Sequence, residues 1–270
     1  MASTAPSMTQ DSDALARDYE QVSADRQFAS GQRLAKALAI TTGERVLDVG
    51  CGTGLLAAHI AGIVGSAGRV LGVDPLPLRI ELAQQKARAN LSFAVGNAYD
   101  LSSIESGSFD VVCLNAVFHW LPEKAGPMRE FARVLRAGGR LGISGAGRDG
   151  QSPMRTAVAK VLTAPPFNQY HRPDALTHPV EEPEMRQLYI DAGFDAPRID
   201  VHDFTQNFAS PAAAIRYSEA SSFGNLLGHL PEALRPAARE AIAAELARVA
   251  EPDGSITRYG RRIIAIGVRR

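Results

Sequence analysis

The 270-residue chain is poor in cysteine, with only Cys51 and Cys113. Two isolated thiols without metal-ligand spacing exclude a disulfide framework and a structural zinc site, so we expect no metal. Apolar runs long enough to cross a bilayer are also lacking.

Neither sign of charge is in excess, since 29 basic residues balance 29 acidic ones. A neutral chain without a basic tract is not drawn to phosphate backbones or anionic membranes, so we expect neither nucleic acid nor a membrane as partner.

The two ends of the chain carry weak signals. Residues 1–12 are small and polar and lack the basic cluster and apolar core of a targeting peptide. We therefore expect a disordered N-terminus and a cytoplasmic protein. Near the other end, arginines flank the apolar run Ile263–Ile266 and are interpreted as the solvated ends of a strand: Arg261, Arg262, Arg269 and Arg270.

Short apolar runs rich in β-formers alternate with helix-period segments between residues 32 and 144. This alternation is typical of βαβ units, in which a parallel sheet is covered by helices on both faces. The predicted strands are Arg45–Val49, Arg69–Val73, Leu91–Val95, Phe109–Leu114 and Arg140–Ser144, and the predicted helices between them are Leu55–Val64, Pro77–Ala89 and Ala125–Leu135.

The flanking segments predict additions to this sheet. Residues 13–40 have helical character with a break near Ser30 and Gly31, and we expect them to form an N-terminal cap. Segments 145–182 and 205–260 are expected to be lid or substrate insertions, and two further strands are predicted over 196–204 and 261–269. The fold class is therefore α/β, a single Rossmann-like domain over residues 13–270. It has a seven-stranded, mostly parallel sheet whose last strand is antiparallel.

A glycine loop follows the first strand, which contains Asp48 and ends at Val49, and the glycines are Gly50, Gly52 and Gly54. A turn of this kind lies at the carboxyl edge of the sheet, where open α/β sheets bind ligands. A dinucleotide-binding loop needs the order G-x-G-x-x-G, so that a pyrophosphate can reach the helix N-terminus. Leu55 occupies the place where a dinucleotide-binding loop has its third glycine. This disfavours a nicotinamide-dependent oxidoreductase but leaves it as an alternative.

Asp74 ends the second predicted strand, as Asp48 lies near the end of the first. A carboxylate at this place can accept two ribose hydroxyls. It can also cap the following helix, which Pro75 and Pro77 begin. Both interpretations stay open, although the pairing of two carboxylates at matching strand ends favours ribose binding.

Taken together, the chain resembles the class I S-adenosylmethionine (SAM)-dependent methyltransferases. Within them it is similar to the small-molecule group that includes ubiquinone-type C-methyltransferases and trans-aconitate methyltransferase. Several signals in register carry the resemblance: Val46–Gly54, Val70–Asp74, Gly96–Ala98, Phe109–Val112, Asn115–Leu121 and Leu135–Leu141. The segments before residue 32 and after residue 145 match weakly.

The resemblance implies SAM as the cofactor, S-adenosylhomocysteine as its product and a small molecule as the methyl acceptor. Gly50 and Gly52 would approach the methionine moiety, and Asp48 would support its ammonium group. The Asn115 carbonyl would accept from that ammonium. The resemblance implies further cofactor positions. Tyr19 and Gln27 would cover the cofactor, Asp74 would bind the ribose, Pro75 and Leu76 would contact the adenine, and Asn97 and Ala98 would lie at the adenine edge. Cys51, Ala116 and His119 complete the implied set.

Methyl transfer is a displacement that depends mostly on positioning, and a general base is needed only if the nucleophile must lose a proton. His119 is a candidate base, and equally a packing residue beside Trp120. Tyr170 and His171 become candidates if their segment is a lid. Val158–Phe167 and Ala220–Leu230 are largely apolar, which favours an apolar or weakly polar acceptor.

Two further hypotheses remain. Arsenite methyltransferases share the core motifs but use several thiolates, and Cys51 and Cys113 are expected to be packing residues, so arsenic methylation is disfavoured. A catalytically silent SAM-binding module is compatible with the same motifs, because a cofactor site can persist after an acceptor site is lost. The sequence predicts neither the acceptor atom nor the oligomeric state.

Overall fold

The computed structural model describes residues 24–147, 152–170, 177–222 and 225–270. Its secondary structure follows the predicted alternation. The strands are β1 (Arg45–Val49), β2 (Arg69–Asp74), β3 (Leu91–Val95), β4 (Phe109–Asn115), β5 (Leu135–Ala146), β6 (Arg198–Phe208) and β7 (Ile256–Val268). The helices are α1 (Ala24–Ala37), α2 (Leu55–Val64), α3 (Pro77–Gln84), α4 (Ala125–Val134), α5 (Pro153–Leu162), α6 (Glu182–Asp191), α7 (Pro211–Ser221), α8 (Asn225–Gly228) and α9 (Arg235–Ala247).

The strands form one seven-stranded sheet in the order β3-β2-β1-β4-β5-β7-β6. Strands β1 to β5 pair in parallel, and β7 runs antiparallel to β5. The predicted fold class is confirmed. Strand order reverses beside β1, which has β2 on one side and β4 on the other, and this is where such sheets bind ligands.

Two apolar layers cover the faces of this sheet. One contains buried residues of α1 and α2, such as Leu34 and Ile60. The other contains buried residues of α4 and α6, such as Phe131 and Tyr189. The central strands are buried on both faces, which explains their continuous apolar runs.

The chain divides into two compact units. The first, which we call the sheet unit, comprises residues 24–147, 178–201 and 262–270. The second, the helical unit, includes the described residues of 148–177 and 202–261 and has its own apolar core, formed by α5, α7, α8 and α9. The assignment of residues 13–270 to one domain with lid segments stays a prediction. In the described ranges, no helix is long and apolar enough to span a membrane.

The predicted break at Ser30 and Gly31 is wrong, because α1 continues through both residues. A Cβ placed on Gly31 would lie 2.9 Å from the Leu56 side chain and 3.3 Å from Asn115 Nδ2. Glycine therefore serves close packing of α1 against α2 and the end of β4. It does not interrupt the helix, although it lowers helical propensity.

Candidate functional site

The glycine loop joins β1 to α2 and is bonded to the end of β2. The amides of Gly50 and Cys51 both donate to the Val73 carbonyl, at 2.7 and 3.0 Å. The Gly52 amide donates to Asp74 Oδ2 at 2.9 Å. These bonds hold the loop at the carboxyl edge of the sheet.

The loop glycines differ in what a side chain would meet. A Cβ on Gly50 would lie 2.3 Å from Val117, and one on Gly54 would lie 2.7 Å from Phe93. At Gly52 a Cβ would meet no atom of the described residues within 4 Å, although its φ of +55° still disfavours a side chain. Gly50 and Gly54 are thus required by packing inside the protein, whereas Gly52 faces open space. The sequence analysis expected Gly50 and Gly52 alike to approach the cofactor.

Asp48 lies beneath the loop and is 1% exposed. Its Oδ1 accepts from the Cys113 thiol at 3.7 Å. Its Oδ2 is buried and has no hydrogen-bond partner among the described residues. Burial raises the pKa of this carboxyl to about 7; the Cys113 thiol opposes the shift, and the charge of Asp74 adds to it. An unpartnered buried carboxylate oxygen is costly unless a donor approaches it.

The raised pKa of Asp48 predicts how stability changes with pH. Since the folded protein holds this proton up to about pH 7 and the ordinary pKa is 3.8, the folded state binds more protons than the unfolded state between these values. The free energy of unfolding contributed by Asp48 therefore falls as pH rises through this window. In Asp48→Asn we expect this decline in the free energy of unfolding with rising pH, on the order of a few kcal/mol, to be absent. Urea unfolding at several pH values measures it.

Asp191→Asn, at an exposed aspartate of α6, is the control and should leave the pH profile of the wild type unchanged. If Asp48→Asn retained the full decline of the wild type, Asp48 would not carry the buried proton.

The Asp74 carboxylate is 6% exposed and uses both oxygens. Besides Gly52, it accepts from the Leu76 amide, whose nitrogen is 3.0 Å from Oδ1. Leu76 is buried and Pro75 half-buried. Asp74 therefore both begins the turn into α3 and fixes the glycine loop. Asp74 is not the N-cap of α3, because the N-cap is Leu76, which has no side-chain capping bond. Ligand binding by Asp74 stays a prediction.

Asn97 follows β3 and its side chain closes a turn. Its Oδ1 accepts from the amides of Tyr99 and Asp100, at 2.8 and 3.1 Å. Asn97 is exposed, whereas Ala98 is 5% exposed. Since two donors already occupy this oxygen, its role as an acceptor for adenine is less favourable than the sequence suggested. Asparagine favours such turns, because its side chain can accept from the backbone amide two residues later, so the residue type is a local signal for this one.

Asn115 ends β4 beside α1, and Ala116 follows it. Asn115 Nδ2 donates to the Gln27 carbonyl at 2.8 Å. Asn115 Oδ1 and Gln27 Oε1 are buried, and neither has a partner within the described ranges. Ala116 has a φ of +61°, which is uncommon for a residue other than glycine, and its amide donates to the Ser144 carbonyl at 2.7 Å. Two buried acceptor oxygens thus accompany a strained turn at the carboxyl edge.

His119 lies in a short 3-10 turn after β4 and is half-buried. Its ring packs on Trp120, with ring centroids 5.2 Å apart. Its Nδ1 accepts from the Ala146 amide at 3.4 Å. In the neutral ring this bond places the proton on Nε2, although the tautomer is inferred from the bonding pattern.

The remaining candidates are Tyr170, His171 and Tyr19. Tyr170 belongs to the helical unit and packs against its apolar core. Tyr19 and His171 lie outside the described residues. The apolar segments around Val158 and Leu226 also contribute to that core. Their composition is thus explained by packing, and no longer supports an apolar acceptor by itself.

Both cysteines behave as packing residues. Cys51 and Cys113 are buried, and burial raises the pKa of each thiol above its usual range. Such thiols are poor nucleophiles and poor soft-metal ligands. Among the described residues, no group of three or more His, Cys, Asp or Glu side chains is arranged to hold a metal ion.

Arg262 differs from the sequence prediction. It was expected at a solvated strand end, but it is half-buried, and its Nη1 donates to Ser30 Oγ at 2.6 Å and to Ser144 Oγ at 3.2 Å. The two serine oxygens are 3.1 Å apart. Sequence reasoning missed this cluster because its members are far apart in the chain and none belongs to a motif.

Comparison with known proteins agrees with this geometry. Residues 47–143 match the family model described as a methyltransferase domain. The similarity to methyltransferase domains thus extends from β1 to β5. The aklanonic acid methyltransferase of Streptomyces sp. (strain C5) is 33% identical over 51% of this chain and 64% of the relative. The demethylmenaquinone methyltransferase of Lactococcus lactis is 33% identical over 47% of this chain and 53% of the relative.

The match to an arsenite methyltransferase of Aquipseudomonas alcaligenes is 38% identical, but covers 40% of this chain and 34% of the relative. The chain thus spans between about a third and two thirds of the curated relatives named here. Among solved structures, the YcgJ protein of Bacillus subtilis superposes with a TM-score of 0.62 at 19% identity, over 90% of this chain and 98% of that chain. That likeness supports the fold alone.

Proposed function

We propose that this protein transfers a methyl group from SAM to a small organic acceptor. The observation that carries the proposal is the combination found at the carboxyl edge of β1, β2 and β4. There, Gly52 faces open space, and buried acceptor oxygens of Asp48, Asn115 and Gln27 have no partner among the described residues. A ligand that brings hydrogen-bond donors and lies against the Gly52 backbone satisfies both features.

The methionine end of SAM has this character, because its ammonium carries three N–H donors. We assign the ammonium to the Asn115 and Gln27 region, supported by the negative charge available on Asp48. The approach of a cation would lower the pKa of Asp48 and favour its ionised form. Cys51 contributes its backbone, since its thiol lies in the apolar layer under the loop.

For the adenosine end we assign the ribose to Asp74, the buried carboxylate at the end of β2, which also accepts from the Gly52 and Leu76 amides. Pro75 and Leu76 supply apolar surface for the adenine. Because Asn97 Oδ1 is used within its turn, the Asn97 amide group is assigned as a donor to a ring nitrogen, beside Ala98. Tyr19 remains the proposed cover.

When bound, SAM supplies a methyl group on a positively charged sulfur, so no residue has to create an electrophile. The contribution of the chain is to hold donor and acceptor in line, and such positioning is worth several kcal/mol. The apolar or weakly polar acceptor remains a prediction. Arsenite is disfavoured, because Cys51 and Cys113 are the only cysteines and both are buried.

The hydrogen bond at His119 gives a separate prediction. Since Nδ1 accepts from the Ala146 amide, we assign the proton of the neutral ring to Nε2, which then has no lone pair for a substrate. We therefore expect His119→Ala to keep the methyl-transfer rate within about tenfold of the wild type. A general base contributes about 100-fold or more. A rate loss of that size in a folded variant would restore His119 as the base and contradict the tautomer assigned here.

The proposed function is tested by incubating the protein with SAM carrying a deuterated methyl group and a fractionated metabolite extract. Mass spectrometry should show a product that has gained one labelled methyl group, together with S-adenosylhomocysteine. Protein inactivated by heat is the control. Binding of SAM without any labelled product across chemically diverse fractions would favour the silent binding module instead.

A further inference from the structure

Among the described residues, the Asp48 carboxylate has a hydrogen-bond donor at only one of its two oxygens. Its Oδ1 accepts from the Cys113 thiol, with Oδ1 and Sγ 3.7 Å apart, whereas its buried Oδ2 has no partner in those ranges. Asp48 and Cys113 are opposite each other in the parallel pairing of β1 with β4, and are 1% and 0% exposed. The thiol therefore supplies a donor to a carboxylate in a place where a missing donor is costly.

The face of β4 that carries Cys113 changes in character toward the carboxyl edge of the sheet. Val111, two residues earlier on the same face, belongs to the same apolar layer and brings no polar side-chain atom. Cys113 brings a donor that reaches Asp48. Asn115, two residues later, brings a buried Oδ1 that has no partner among the described residues. The thiol thus lies where the apolar layer meets the acceptor oxygens assigned to the ammonium group.

The ionisable groups around Asp48 determine what the thiol does. Burial raises the pKa of Asp48 to about 7, the Cys113 thiol opposes the shift, and the charge of Asp74 on β2 adds to it. Burial and the charge of Asp48 raise the pKa of both Cys113 and Cys51, so both thiols stay neutral near pH 7. A neutral thiol that donates to a carboxylate favours its charged form. Cys113 therefore offsets part of the effect of burial on Asp48.

We propose that Cys113 is a positioning residue, whose thiol holds Oδ1 of Asp48 and leaves Oδ2 as an acceptor for the cofactor ammonium. The proposal rests on the proposed function for the identity of this cation. An ammonium group binds an ionised carboxylate more strongly than a neutral one. A protonated Asp48 would present an O–H donor where the ammonium needs an acceptor. The thiol thus prepares the charged, oriented form before the cofactor binds.

The test compares Cys113→Ala, which removes the donor, with Cys113→Ser, which replaces it by a hydroxyl of similar size. The carboxyl carbon resonance of Asp48, assigned by its absence in Asp48→Asn, is titrated by NMR without ligand. In Cys113→Ala we expect the midpoint to rise by about 0.5–1 pH unit, which is roughly the effect of one lost hydrogen bond to the charged form. Cys113→Ser should return the midpoint to the wild-type value or below it.

Binding of S-adenosylhomocysteine, measured by calorimetric titration from about pH 5.5 to about pH 8.5, relates this midpoint to the cofactor. Affinity of the wild type should rise as Asp48 loses its proton. Below the midpoint, Cys113→Ala should bind about threefold to tenfold more weakly, and its affinity should approach that of the wild type at the highest pH. Loss of packing alone would weaken binding equally at every pH.

Val111→Ala is the matched control, because it removes buried atoms from the same face of β4 without removing a donor. It should lower the free energy of unfolding and leave both pH profiles unchanged. The proposal is overturned if wild type, Cys113→Ala and Cys113→Ser share one Asp48 midpoint, or if S-adenosylhomocysteine binds all three with one pH profile. If S-adenosylhomocysteine does not bind the wild type, the proposed function fails, and the ligand-free titration decides whether Cys113 holds Asp48.

Discussion

Gly52→Val should abolish binding of S-adenosylhomocysteine and leave a folded protein. Within the part of the chain that the structure describes, a Cβ at this position meets no atom within 4 Å, so the branched side chain is accommodated by the fold and occupies the space assigned to the cofactor. The positive φ of +55° adds backbone strain, about 1–2 kcal/mol for a residue with a side chain. Calorimetric titration measures the binding, and urea unfolding measures the stability.

Gly43→Val separates strain from steric exclusion. Gly43 also has a positive φ, +88°, and open space around its Cβ position, but it lies in the turn before β1. It should lose similar stability and bind S-adenosylhomocysteine normally. Normal binding by Gly52→Val would show that the cofactor does not lie against this part of the loop.

Asp74→Ala should weaken binding of S-adenosylhomocysteine by about 1.5–3 kcal/mol, or about 10- to 150-fold. The variant loses the proposed charged bonds to the ribose and also the bonds that hold the Gly52 and Leu76 amides. To separate these effects, binding is compared with that of an analogue lacking the ribose hydroxyls. Wild-type protein should prefer the natural ligand, and the variant should lose most of this preference.

Asp110→Ala is the matched control for Asp74. The Asp110 carboxylate also accepts from a backbone amide, that of Arg45, at 2.7 Å. Asp110 lies near the start of β4, whereas Asp74 lies at the end of β2. Asp110→Ala should lower the free energy of unfolding and leave the binding of S-adenosylhomocysteine unchanged. If Asp74→Ala bound the ligand as tightly as the wild type, Asp74 would be only a structural residue.

The sequence predicted those features that depend on local pattern. Apolar runs and helix periods located the central strands, and α2 begins and ends at the predicted residues Leu55 and Val64. The α/β fold and the antiparallel β7 followed from the same alternation. Boundaries were less accurate, since β5 begins at Leu135 and not at Arg140, because pairing with β4 extends beyond the apolar run.

Features that depend on distant residues were not predictable in this way. Gly31 was taken as a helix break, yet its contact with Leu56 and Asn115 makes glycine the residue that α1 needs there. Arg262 was taken as a solvated end, yet Ser30, 232 positions away, is one of its hydrogen-bond partners. Single-sequence patterns contain no information on such pairs. The different requirements of Gly50 and Gly52 likewise became visible only when Val117 was placed beside the loop.

The central claim is that the carboxyl edge around Gly52 and Asp74 binds SAM and not a dinucleotide. The most direct test is calorimetric titration of the wild-type protein with S-adenosylhomocysteine and, separately, with NAD. The structure predicts saturable binding of S-adenosylhomocysteine and no heat of binding for NAD, because Leu55 stands where a dinucleotide loop has its third glycine. Binding of NAD without binding of S-adenosylhomocysteine would contradict the account.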